Sequence, residues 1–67
     1  MEKNKVNLNR ASREQLSRIN GIGGILADEI IEYRVRNGGF KGKEELLNLP
    51  GFDRIAVEKF NEHVYIE

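Results

Sequence analysis

Apolar positions recur along this chain in two related blocks. Val6-Asn7-Leu8-Asn9 alternates apolar and polar residues, which predicts an extended lead-in with Val6 and Leu8 turned toward the core. Ser12 followed three residues later by Gln15 is a capping-box pattern, and it starts a short helix through about Arg18. Asn20 to Gly23 reads as a turn. A longer helix follows from about Gly23 to Arg36, where Leu26, Ala27, Ile30, Ile31 and Tyr33 recur at three- and four-residue spacing and form one apolar face. Asn37-Gly38-Gly39 ends it, because glycine adopts the left-handed geometry of a helix C-cap. Phe40 interrupts a polar linker and is expected to pack down and pin it. A short third helix is expected from Lys43 to about Leu47, with Leu46, Leu47 and Leu49 facing inward. Pro50-Gly51 makes a second turn. Asp53 is placed to cap a fourth helix carrying Ile55, Ala56, Val57 and Phe60. The tail His63-Val64-Tyr65-Ile66-Glu67 reads equally as a last helical turn or an extended segment. No strand pattern is strong enough to build a sheet, so the predicted fold class is all-α.

The two blocks are copies set thirty positions apart. Glu14 falls on Glu44, Leu16 on Leu46, Gly21 on Gly51 and Ile25 on Ile55. Each copy is a short helix, a tight glycine-containing turn and a second helix. We therefore expect one domain over residues 1–67, with a first motif at about 12–36, a second at about 43–62 and residues 1–11 as lead-in. With 67 residues the attainable core is marginal, and the absence of cysteine excludes disulfides and thiolate metal sites. Stability must come from helix packing.

Net charge is zero, which argues against a strongly basic nucleic-acid binder. Its distribution is uneven. In residues 1–20, Lys3, Lys5, Arg10, Arg13 and Arg18 oppose Glu2 and Glu14, a local balance of +3. In residues 41–67, Lys41, Lys43, Arg54 and Lys59 oppose six acids, a local balance of −2. A polyanionic partner is expected to favour the first copy. No apolar run approaches the roughly 20 residues that span a bilayer, so no membrane contact is expected of this segment. Met1-Glu2-Lys3-Asn4-Lys5 has no signal-peptide core. Localisation stays open: cytoplasmic for the chain as written, extracytoplasmic if it is cut from a membrane-anchored parent.

The first turn carries the chemistry. At Gly21-Ile22-Gly23 the missing Cβ atoms let the backbone turn sharply and let a phosphate approach the amides, and Gly24 extends that bare surface. Ile22 is expected to plug inward and hold the amides aligned, which spares an ordering cost on the order of 1 kcal/mol per residue at binding. The helix that starts at Gly23 adds the positive end of its dipole. Contacts of this kind position a protein on phosphates without reading sequence. Arg13 and Arg18 lie in the basic first copy beside this turn. Lys41 and Lys43 either reach a flanking phosphate or remain solvated. Arg34 is expected to tie carbonyls of a neighbouring segment, and Tyr33 and Phe40 to be core. His63 has no Cys or His partner, and Glu44 and Glu45, adjacent on a helix, point apart. With no nucleophile, base or metal cluster, no enzyme is expected.

The stretches Val6-Asn7-Leu8-Asn9, Ala11-Ser12, Gln15-Leu16, Ile19-Asn20-Gly21-Ile22-Gly23, Ala27, Ile30-Ile31-Glu32-Tyr33-Arg34, Asn37-Gly38-Gly39-Phe40, Glu45-Leu46-Leu47 and Leu49-Pro50-Gly51-Phe52 together resemble the helix-hairpin-helix fold. The form resembled is the tandem one of the ComEA-type DNA-uptake proteins, and the match runs from about residue 5 to residue 63. The resemblance implies four to five short helices related by a pseudo-two-fold axis, the SAM-like architecture. It also implies sequence-independent binding of double-stranded DNA through backbone phosphates, as in DNA uptake or in repair and recombination. The residues implied are Gly21, Ile22, Gly23, Gly24, Arg13 and Arg18 at the first hairpin, with Gly51, Arg54 and Lys43 at the second. In related hairpins carbonyl groups hold a monovalent cation that bridges to phosphate. Carried over, these are the carbonyls of Ser17, Ile19 and Ile22, with K+ or Na+ as the ion and no other cofactor.

The departures have consequences. Asn20 stands where the family usually has Pro, and Ile25 where many DNA-binding members have Lys. Asp53 replaces the second glycine of the second hairpin, where a carboxylate repels phosphate and Arg54 compensates in part. The second hairpin is thus expected to be mainly structural. Other domains or subunits would supply avidity. The alternative function is a protein-interaction or assembly module that keeps the fold without DNA.

Overall fold

Ser12 ends the extended lead-in and starts α1 (Arg13–Ser17). Its hydroxyl accepts from Gln15 N at 3.1 Å, and the Gln15 carboxamide oxygen accepts from Ser12 N at 2.9 Å, so both halves of the capping box form. α2 (Gly23–Asn37) ends at Gly38, whose φ of 74° lets the N–H groups of Gly38 and Gly39 both donate to the Arg34 carbonyl. Lys43–Asn48 is a 3₁₀ helix, and α3 (Arg54–Asn61) is capped by Asp53, whose carboxylate accepts from Ala56 N at 2.8 Å. This is a computed structural model, and it describes residues 5–19 and 21–67. The readings of residues 1–4 and of Asn20 as a turn residue lie outside the described residues.

The two copies bury the same positions. Leu16 and Leu46, Ile22 and Phe52, Ala27 and Val57, and Ile30 and Phe60 all lie in one core. Their turns are closed by matching hydrogen bonds. Ile19 N donates to Leu16 O at 3.1 Å and Leu49 N to Leu46 O at 3.0 Å; Ile22 N donates to Ile19 O at 3.0 Å and Phe52 N to Leu49 O at 3.1 Å. Phe52 and Phe60 pack with ring centroids 5.5 Å apart, while Tyr33 stacks on the buried Phe40 at 4.5 Å. The lead-in is clamped from two sides. Asn9 Nδ2 donates to Phe40 O at 2.9 Å and Phe40 N donates to Asn9 Oδ1 at 2.6 Å. Arg34 Nη1 donates to the carbonyls of Ala11 at 2.7 Å and Leu8 at 3.2 Å, the tying role its position implied.

The helical fold holds as predicted; the structure settles the tail, turns Leu47 out of its expected inward face and leaves Ile55 exposed on α3. The tail resolves to an extended segment: β2 (Val64–Tyr65) pairs in parallel with β1 (Val6–Asn7), Val6 opposite Val64. Strands of two residues carry no readable alternation, and their partner is remote in sequence. Leu47 is turned outward, 46% exposed. A 3₁₀ helix has three residues per turn, so Leu46 and Leu49 share the inner face and Leu47 leaves it. Ile55 is 65% exposed, because α3 buries Val57 and Phe60 instead. Among the described residues no helix is long and apolar enough to cross a membrane.

Candidate functional site

The first hairpin is built from residues that only its backbone geometry explains. Gly21 (φ 86°) and Gly23 (φ 67°) both occupy the left-handed region, and no described non-glycine residue does. Between them Ile22 is buried, so the turn is anchored from within. α2 begins directly at Gly23 with no side-chain hydrogen bond at its cap and no acidic residue in its first turn. The first N–H groups of a helix have no partner inside it. Among the described residues no side chain takes them up.

Arg13 closes one side. Its guanidinium lies over Gly24, where an added Cβ would stand 2.6 Å from Arg13 Nη2. Arg13 Nε donates to Asp28 Oδ1 at 2.5 Å, and Nη2 reaches Oδ2 at 3.4 Å, in a pair more than half exposed. The hydrogen bond from Arg13 holds the Asp28 carboxyl below its ordinary value, against a smaller opposing effect of lost hydration; the same bond, and then the Asp28 charge, raise Arg13. The stabilisation from the lowered Asp28 is present above its unfolded-state pKa and fades as pH falls through the folded one. At this exposure it is small and screened by salt. Arg18, the C-cap of α1, is exposed nearby in sequence.

The second hairpin closes with the same turn hydrogen bonds but without left-handed residues, and its amides are already engaged. Gly51 N donates to Glu29 Oε1 at 3.1 Å, and the Asp53 carboxylate caps α3. Gly51 is needed for close approach rather than for a left-handed φ, since a Cβ there would collide with the Leu26 side chain. Arg54 is exposed at the start of α3. Lys43 stands apart from it: its Nζ donates to Asn61 O at 3.3 Å, at the far end of α3, about 10 Å away by helix rise. The structure thus gathers Gly21, Ile22, Gly23, Gly24 and Arg13, and separates Lys43 from Gly51 and Arg54. Sequence reasoning missed Asp28 and Glu29. For Glu29 a signal existed, because the thirty-residue shift pairs it with a residue of opposite charge, Lys59.

Ser17 closes α1, Ile19 O accepts from Ile22 N within the turn, and Ile22 is the N-cap of α2. Three neutral backbone oxygens around one tight turn are hard donors, and each carbonyl has a second lone pair to offer.

A family model described as helix-hairpin-helix motif matches residues 1–65. ComE operon protein 1 of Bacillus subtilis is 34% identical over 62 residues, covering 92% of this chain and 30% of that protein. An uncharacterized protein of Haemophilus influenzae is 31% identical over 61 residues, covering 90% of this chain and 54% of its own length. Endonuclease/exonuclease/phosphatase family domain-containing protein 1 of Xenopus laevis is 29% identical over 63 residues, but only 11% of it is covered. The chain therefore spans from about half to about a tenth of the length of these relatives.

Proposed function

The chain belongs to the helix-hairpin-helix motif family, and on that premise we propose that it binds the backbone of double-stranded DNA without reading its sequence. The observation that carries this reading is the contrast between the hairpins: open amides and paired left-handed glycines at the first, amides engaged by Glu29 and Asp53 at the second. One phosphate would sit against the N–H groups of Gly21, Gly23 and Gly24, with Arg13 and Arg18 beside it. Gly51 and Arg54 form the weaker second half, with Lys43 set apart at the other end of α3. A K+ or Na+ ion held by the carbonyls of Ser17, Ile19 and Ile22 would add positive charge facing the same phosphate. The module binds and does not catalyse, and its setting is DNA uptake or repair.

So few contacts neutralise little charge, and affinity is expected in the non-specific range, about 10⁻⁴–10⁻⁶ M. Linkage to other domains or subunits would raise it. The test is a comparison of duplexes of unrelated sequence, which should bind equally; a strong preference for one of them would contradict backbone recognition. Because Asp28 both holds Arg13 and places an acid near the site, Asp28→Asn is expected to tighten duplex binding by about two- to fivefold, an electrostatic change typical of exposed pairs. Weaker binding in a titration of that variant would mean that Asp28 positions Arg13 productively instead.

A second reading has its own support. Ile25 and Ile55, repeat-equivalent residues, are 78% and 65% exposed, which suits an assembly module with an apolar contact. Sedimentation distinguishes the two: a dimer at micromolar concentration that disappears in Ile25→Ser or Ile55→Ser would favour assembly.

A further inference from the structure

The thirty-residue repeat relates the hairpins, and it also relates the side chains that each long helix lays over the opposite hairpin. Over Gly51, α2 lays Leu26 and Glu29. The carboxylate accepts from Gly51 N at 3.1 Å, and Leu26 fills the space a Cβ would need. The repeat-equivalents of Leu26 and Glu29 are Ala56 and Lys59 on α3, and the equivalent of Gly51 is Gly21. At Gly21 a Cβ would meet nothing within 4 Å. There Gly21, Ile22, Ala56, Lys59 and Phe60 line an open cleft of about 240 Å³. One copy therefore closes its turn with a large apolar side chain and an acid. The other leaves the turn open beside a small side chain and a base.

We infer that Lys59 is a phosphate-binding residue of the first hairpin, reaching it across this cleft from the second copy. The inference rests on the DNA-backbone reading above and names a further contact in the same site. In the second copy the anion that this geometry accommodates is supplied internally, by Glu29 on the Gly51 amide. In the first copy the corresponding side chain is an ammonium, which donates and cannot accept from an amide. The Gly21 backbone and the Lys59 side chain thus line one cleft, and an amide beside an ammonium suits an anion. Asp53 and Ile55 also line the cleft; the Asp53 carboxylate accepts from Ala56 N at 2.8 Å but keeps its negative charge, which opposes an anion there and which the Lys59 charge offsets. Lys59 is exposed, and among the described residues it makes no ion pair. It also lies in the last turn of α3, where a cation suits the helix dipole. That purely structural role would leave ligand binding untouched.

The experiment uses the full chain, its Lys59→Gln variant and Arg36→Gln as a charge-matched control at the far end of α2, about 20 Å from Gly23 by helix rise. Against a labelled duplex, Lys59→Gln is expected to weaken binding about three- to tenfold at low salt, with the log–log salt slope shallower by about 0.9, one phosphate contact. Arg36→Gln should change the slope less. Equal slopes in the two variants would overturn the inference. Amide shifts on titration with inorganic pyrophosphate separate this inference from the DNA reading. Gly21 and Gly23 should shift in the parent chain and much less in Lys59→Gln. That pattern without any duplex binding would sink the DNA reading and leave Lys59 as an anion ligand. Unchanged shifts in the variant, or none in the parent, would overturn Lys59 as a ligand.

Discussion

Gly23→Glu is expected to reduce duplex affinity at least tenfold while the helical circular dichroism signal survives. Two effects act at this position, and they can be separated. Gly23 has φ 67°, where a side chain costs about 1–2 kcal/mol through its own backbone. The surrounding space is open, since an added Cβ meets nothing within 4 Å, so no steric cost is added. A carboxylate in the first turn of α2 recovers about 0.3–1 kcal/mol from the helix dipole, which keeps the net loss of stability modest. Binding suffers far more. The new carboxylate would occupy the place of the phosphate, and like charges about 4 Å apart repel by about 1 kcal/mol in bulk water and about 4 kcal/mol near a protein surface. Gly23→Ala is the control: it carries the backbone strain without the charge. It should lose part of the stability and little of the affinity. Retained binding in Gly23→Glu would place the site elsewhere.

Phe60→Ala is expected to leave about half of the protein or more unfolded at 25 °C. Phe60 is fully buried, packs on Phe52 and stands at the repeat position of Ile30, where the two copies meet in the core. Removing such a ring costs about 3–5 kcal/mol. A core in a chain this short rarely supplies more than about 3–5 kcal/mol in total. The loss therefore matches the whole of the stability. Urea titration followed by far-ultraviolet circular dichroism reads it directly. Ile55→Ala, one turn earlier on the same helix but 65% exposed, should stay within about 0.5 kcal/mol of the parent. A cooperative transition near the parent midpoint in Phe60→Ala would show that the core tolerates the cavity.

Local signals were legible and long-range ones were not. Ser12 with Gln15, Gly38 at the end of α2 and Asp53 at the start of α3 act within four residues of themselves, and each does in the structure what its position implies. The inward plug at Ile22 and the tie made by Arg34 followed from the repeat and from helix geometry. Leu47 leaves the inner face where the backbone takes three residues per turn, a helix type that its sequence does not announce. The β1–β2 pairing joins the two ends of the chain through four residues, too few to show a pattern. At the candidate site the glycines could be read from the chain, but the acids that compete with a ligand could not. Asp28 meets Arg13 only because α1 packs on α2, and Glu29 meets Gly51 only because the second copy folds back against the first.

On the proposed reading, this asymmetry also addresses how a chain of zero net charge would bind a polyanion. Total charge governs long-range attraction, whereas a pre-formed cluster of N–H groups acts at contact. On the present account the first copy provides both a basic surface and open amides. The second provides rigidity, and its own carboxylates take the place that a ligand takes in the first.

The central claim is most directly tested by fluorescence anisotropy of a labelled DNA duplex titrated with the protein at several salt concentrations. The account predicts weak binding with a log–log salt slope of about −2 to −4, reflecting roughly that many displaced counterions, and the same slope for unrelated sequences. Absence of binding up to about 1 mM at low salt, well beyond the usual non-specific range, would contradict it and move the chain to the assembly reading.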